Sequence, residues 1–131
     1  MGAINLGSKN TYSFGKDDVV IRHFGADIKG GKVLDVDGFA DTVIQTGHII
    51  IRTTDENETY KPLNVSGGKY VTLPEGHEYA GVALATVPVT EPFVGIMYNG
   101  EVNDVASPYP ITAELKAALK TALPTLTFLH D

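Results

Sequence analysis

The chain has 131 residues, with ten Lys and Arg against 16 Asp and Glu and a net charge of −6. That length fits one domain, large enough to fold without a covalent staple. The absence of Cys removes disulfides, thiolate metal sites and thiol nucleophiles, and the acidic balance with scattered basic residues argues against nucleic acid as a partner.

The opening MGAINLGSKN has no basic n-region and no apolar core, so no secretory leader is expected. Leu6 stands where a myristoylation motif wants Ser or Thr. Residues 1–16 are rich in Gly, Asn, Ser and Lys, and read as an extended arm with isolated apolar points. The organisation expected is an N-terminal arm over residues 1–24 and a single β-rich domain over 25–131.

Val19 to Phe24 and Lys32 to Val36 have strand character, separated by Gly25 and Gly30-Gly31. Asp37-Gly38 is a turn signal. Ile49-Ile50-Ile51 is β-branched and does not alternate, which predicts a strand covered on both faces. The second cover expected is a neighbouring subunit, so these three residues are candidates for an oligomer interface. Asp55 to Glu58 is a solvated acidic loop, and Ser66-Gly67-Gly68 a turn.

Tyr79 to Val87 is Ala- and Val-rich, with Gly81 where the backbone bends or meets a neighbour closely. Phe93 to Tyr98 is a strongly apolar strand, and Asn99-Gly100 predicts a hairpin turn after it. A helix is expected over about 112–123. Thr112 is its N-cap, Leu115, Ala118, Leu119 and Ala122 form its buried face, and Lys116 and Lys120 lie opposite. Pro124 stops it, and Thr125 to Phe128 alternates as a final strand. The fold class expected is mainly β: a small sandwich-like or barrel-like domain with one C-terminal helix.

No catalytic, cofactor or metal constellation emerges from the spacing. Gly67-Gly68-Lys69 lacks the rest of a phosphate loop, and Tyr70 replaces its hydroxyl. Asp35, Asp37 and Asp41 lack the remaining ligands of a calcium loop. His23, His48, His77 and His130 show no metal-ligand spacing. No Ser sits in a nucleophile elbow, and Glu75, Glu78, Glu91 and Glu101 fall in loop-like contexts. The expectation is a protein without enzymatic activity, cofactor, metal or small-molecule substrate, and without a membrane partner. Tyr60, Tyr70 and Tyr79 leave a carbohydrate-stacking face as a rival reading.

The order of parts in the second half carries a resemblance. Gly81-Val82-Ala83-Leu84-Ala85, then Phe93-Val94-Gly95-Ile96-Met97, then Gly100-Glu101-Val102-Asn103, then the helix through Leu123, then Leu126-Thr127-Phe128 resembles the head decoration protein D family of tailed phages. It also resembles short phage head fibre proteins. The resemblance implies a non-enzymatic homotrimer on the capsid exterior, made in the bacterial host cytoplasm, with the major capsid protein as partner. It also implies an N-terminal arm that docks by adding a strand to the shell. Leu6, Tyr12, Phe14, Val20 and Phe24 are then the anchors expected in the capsid-binding arm. A head-fibre base or a host-surface, carbohydrate-binding module is the alternative.

Overall fold

The computed structural model describes residues 20–130. In chain order the strands are β1 (Ile21–Asp27), β2 (Lys32–Val33), β3 (Val43–Ile44), β4 (Ile49–Thr53), β5 (Tyr60–Pro62) and β6 (Val65–Ser66). There follow β7 (Lys69–Tyr70), β8 (His77–Ala83), β9 (Val87–Pro88), β10 (Phe93–Val94) and β11 (Ile96–Asn103). Helix α1 (Ala113–Ala122) and strand β12 (Leu126–Leu129) close the chain. The fold is mainly β with one short helix near the C-terminus, and its sheets do not close into a barrel.

Strand β11 organises the molecule. Along one edge it pairs antiparallel with β1, from Met97 opposite Asp27 to Val102 opposite Ile21. Its other edge is shared: β8 takes Ile96 and Met97, and β12 runs parallel beside Gly100 to Asn103. The sheet continues from β8 to β4 and from β4 to β5, both antiparallel. The short β2–β10 ladder prolongs the β1–β11 pairing, because Ile28 N–H donates to the Ile96 carbonyl at 2.8 Å and Leu34 N–H to the Pro92 carbonyl at 2.8 Å. Residues 21–27 and 32–34 therefore both run beside the segment 92–102, on either side of the turn at Lys29-Gly30.

Side-chain alternation distributes the core over both faces of this sheet. Ile49 and Ile51 join Val20, Leu63, Tyr79, Val82, Met97, Val102, Leu126 and Phe128 beneath Leu119 of α1. Ile50 points the other way, to Leu34, Ile44, Tyr60, Ala80, Ala83, Val94 and Ile96. All three Ile are at most 1% exposed. Both covers thus come from the same chain, which corrects the expectation that Ile49, Ile50 and Ile51 form an oligomer interface.

Two glycines set which residues face which core. Tyr79 and Val82 share one core although their odd separation belongs to opposite faces of a regular strand. The register shifts between them, where Ile50 faces Gly81 and Ile51 faces Tyr79. Met97 and Val102 share a core in the same way, across shifts around Asn99 and Gly100. Gly81 has φ 155° and Gly100 φ 148°, and a Cβ on either would overlap a backbone carbonyl, of Met97 or of His23. The expected close approach at Gly81 is present. The expected hairpin at Asn99-Gly100 is not: both residues lie inside β11, where the glycine serves a bulge rather than a turn.

Other local expectations divide similarly. Gly67 and Gly68 have φ 61° and 78° and form the two-residue turn between β6 and β7. Thr112 caps α1, accepting from the Leu115 N–H at 3.2 Å, with Glu114 in the first turn and Lys120 in the last. The helix buries less than its pattern predicts: Leu119 is interior and Leu115 and Leu123 are half-buried, but Ala118 and Ala122 stay exposed. The helix lies at the margin of the domain, so a narrow stripe suffices. The arm boundary also moves. Val20 is 1% exposed in the core and Phe24 belongs to β1, so residues 20–24 are part of the domain.

Candidate docking surface

In a strand covered on one face, successive side chains alternate between core and solvent, and along these paired segments several of the exposed positions are apolar. Among the described residues the large hydrophobics most open to solvent are Phe24 at 50%, Val33 at 67%, Phe93 at 58%, Tyr98 at 40% and Val105 at 71%. Phe24 is on β1, Val33 on β2, Phe93 on β10 and Tyr98 on β11. Val105 lies two residues past the end of β11.

Register places two of these side chains together. Val33 is the direct partner of Phe93, while Val94 beside it turns into the core at 4% exposure. Gly31, at φ 70°, leaves room under the Phe93 ring, whose tip would lie 3.3 Å from a Cβ there. Phe24 stands opposite Gly100, which offers no side chain to cover it. Lys32, which alternates with Val33, places its ammonium 5.3 Å from the centre of the Tyr60 ring. Arg52 is engaged nearby by Glu78, through its Nε, and by Tyr60. Lys32 and Arg52 are thus held against the Tyr60 ring.

Of the expected arm anchors, Leu6, Tyr12 and Phe14 lie outside the described residues. Val20 is core and therefore corrected, whereas Phe24 is half exposed on β1. Sequence reasoning did not name Val33, Phe93, Tyr98 or Val105 as contact residues. The run Phe93 to Tyr98 reads only as a strongly apolar strand, and the structure shows that Phe93 and Tyr98 are the exposed members.

The titratable groups serve local structure. His48 is 1% exposed. Its Nε2 lies 2.8 Å from the Leu63 carbonyl, which fits the neutral tautomer donating from that nitrogen. Phe39, Tyr70 and Tyr109 surround its ring edge-on at centroid distances of 5.3, 5.1 and 5.7 Å. Burial pushes the His48 pKa down to about 4, against weaker raising by the Leu63 carbonyl and Asp41. Burial also raises the Tyr70 phenol.

Asp104, at the end of β11, accepts from Lys116 Nζ at 2.6 Å and from His130 Nδ1 at 2.8 Å. The Lys116 hydrogen bond holds its carboxyl below the usual range, with His130 adding to the effect. Asp35 accepts the Asp37 N–H at 3.0 Å as a turn, and Asp41 accepts the Tyr109 hydroxyl at 2.9 Å. His77 contacts the Glu75 carbonyl, and Glu78 holds Arg52. Among the described residues no group of three or more His, Cys, Asp or Glu is arranged to hold a metal. Tyr60 and Tyr79 are buried and the Tyr70 ring packs on His48, so the three do not form a sugar-stacking platform.

No family model, curated protein or solved structure matches this chain.

Proposed function

We propose that this protein is a non-enzymatic decoration protein of a tailed-phage capsid, which binds the major capsid protein on the shell exterior as a homotrimer. The observation that carries the reading is the exposed cross-strand pair Val33 and Phe93, with Phe24 on β1 and Tyr98 on β11 exposed as well. Exposed apolar residues gathered in one place, rather than scattered singly, mark contact surfaces. The order of elements in the second half, which resembles the decoration family, supplies the identity of the partner.

The mechanism is mechanical. Each trimer bridges neighbouring capsomers and adds buried area at a junction that packaged DNA strains. Many equivalent junctions then share the load, and several arms on one trimer raise avidity without any single strong contact.

Two measurements test this. Light scattering on the purified protein should give about 42 kDa, three times 14.0 kDa. Co-sedimentation with expanded, undecorated phage shells should be saturable and should be lost on deletion of residues 1–16. A monomer that also fails to sediment with shells overturns the proposal. Unchanged sedimentation after the deletion overturns the arm's part in it.

A further inference from the structure

Strand β12 has an outer edge that no described strand covers. In its parallel ladder with β11 the Thr125 and Leu129 carbonyls accept from the Gly100 and Asp104 N–H groups, so odd-numbered residues turn their peptide groups toward β11. The even-numbered ones turn outward. Leu126 N–H is satisfied by the Leu123 carbonyl at 3.0 Å. The Leu126 carbonyl and both peptide groups of Phe128 have no partner among the described residues.

A groove of about 530 Å³ runs between this strand and α1. Ala113 and Ala117 line its helix side and Leu126 and Phe128 its strand side, with Lys116 and Lys120 on the same helix flank. The opposite flank, with Glu114, Leu115 and Ala118, faces Tyr70, Leu73 and Tyr79 across a separate depression. The groove therefore lies on the side of α1 away from β8, along the open edge of β12.

Charge decides the occupant. Lys120 is exposed and has no carboxylate partner among the described residues, and Lys116 gives Asp104 one hydrogen bond from a three-donor ammonium. A second copy matches poorly. Two β12 edges paired about a two-fold axis would bring the lysines of both copies to one seam. The other outermost strands carry Arg22 and His23 on β1, or Lys61 and Pro62 on β5, and a proline cannot donate to a ladder. Lys116 and Lys120 are one helical turn apart, about 6 Å along the axis. Alternate side chains of a strand are spaced by roughly 7 Å, so carboxylates at positions i and i+2 of an extended chain match the two lysines.

We propose that the outer edge of β12 accepts, by strand addition, an extended segment of a partner polypeptide that carries two acidic residues at alternate positions, flanked by apolar ones. Its backbone pairs with Leu126 and Phe128, its apolar side chains fill the groove, and its carboxylates meet Lys116 and Lys120. The inference does not depend on the capsid reading, which rests on Val33 and Phe93.

The full-length protein titrated into a fluorescein-labelled peptide, Val-Thr-Glu-Thr-Glu-Thr-Val, should give a saturable rise in anisotropy. The same peptide with Lys in place of both Glu should bind about tenfold more weakly or worse, and Lys120→Glu should weaken the acidic peptide by about tenfold. Ala117 lines the groove and is exposed, so Ala117→Tyr should block binding while circular dichroism shows the fold intact. Exchange of the Phe128 amide, followed by NMR, should slow about tenfold in the complex. Absence of saturable binding overturns the proposal, as do equal binding of the two peptides, indifference to Lys120→Glu or an unchanged Phe128 amide. An oligomer of this chain that Ala117→Tyr dissociates also overturns it, by giving the groove to a second copy.

Discussion

Two glycines and one histidine carry consequences out of proportion to their size. Gly81 and Gly100 sit at strand crossings where positive φ and close approach of a neighbouring carbonyl act together. Gly81→Ala or Gly100→Ala should each cost ~3 kcal/mol or more in urea unfolding. Gly76→Ala also has positive φ, but nothing lies within 4 Å of its added Cβ, so it should cost only about 1–2 kcal/mol. Equal costs at all three positions would show that crowding at the crossings is unimportant.

His48 predicts a pH dependence. Its folded pKa of about 4 lies below the ordinary 6.5, so between these values the unfolded chain binds more protons. Stability is complete above pH 6.5 and falls as the pH drops toward 4, by about 3 kcal/mol in all. His48→Gln keeps a donor for the Leu63 carbonyl and should flatten the slope over that window. A variant with the wild-type slope would show that His48 is not the group responsible.

At the scale of elements, the helix is held by its ends as much as by its face. Thr112 satisfies the Leu115 amide, and Thr112→Ala should cost about 1 kcal/mol. Leu119 is the helix's fully buried side chain, and Leu119→Ala should cost roughly 2–5 kcal/mol. Asp104 ties α1 through Lys116 and the C-terminal segment through His130 to the end of β11. Its depressed pKa means that this clamp is present above the ordinary value of 3.8 and is lost as pH falls through the lower folded value. That window lies below the His48 window, so the two separate in a titration. Asp104→Asn should remove the lower phase and leave the upper one. Loss of both phases together would assign them to a shared network instead.

For the whole molecule, the division between core and contact surface is the matter to test. Phe24 and Phe93 are half or more exposed on β1 and β10. Phe24→Ser with Phe93→Ser should therefore leave the unfolding midpoint within about 0.5 kcal/mol of wild type. The same pair should weaken shell binding by tenfold or more, since buried aromatic anchors dominate interface energy. Ile50→Ser should do the opposite, unfolding the domain before any binding is measured, because that side chain is interior. Full shell binding by the double variant would remove both side chains from the contact.

Local pattern was enough for the elements whose cause is local. The mainly β class, the Thr112-capped helix, the Pro124 stop, the closing strand and the Gly67-Gly68 turn all follow from the types of neighbouring residues. The two-sided burial of Ile49 to Ile51 was legible too, since a β-branched run without alternation needs cover on both faces. What supplied the second cover was not legible. It came from Leu34, Ile44 and Val94 of the same chain, residues distant in sequence. Asn99-Gly100 failed as a hairpin because a glycine's positive φ suits a turn and a bulge equally, and only the His23 carbonyl pressed against Gly100 decides between them. The outward Val33 and Phe93 were hidden for a related reason. An apolar run fixes that a strand exists, whereas pairing register fixes which of its side chains meets water, and register is a property of two strands at once.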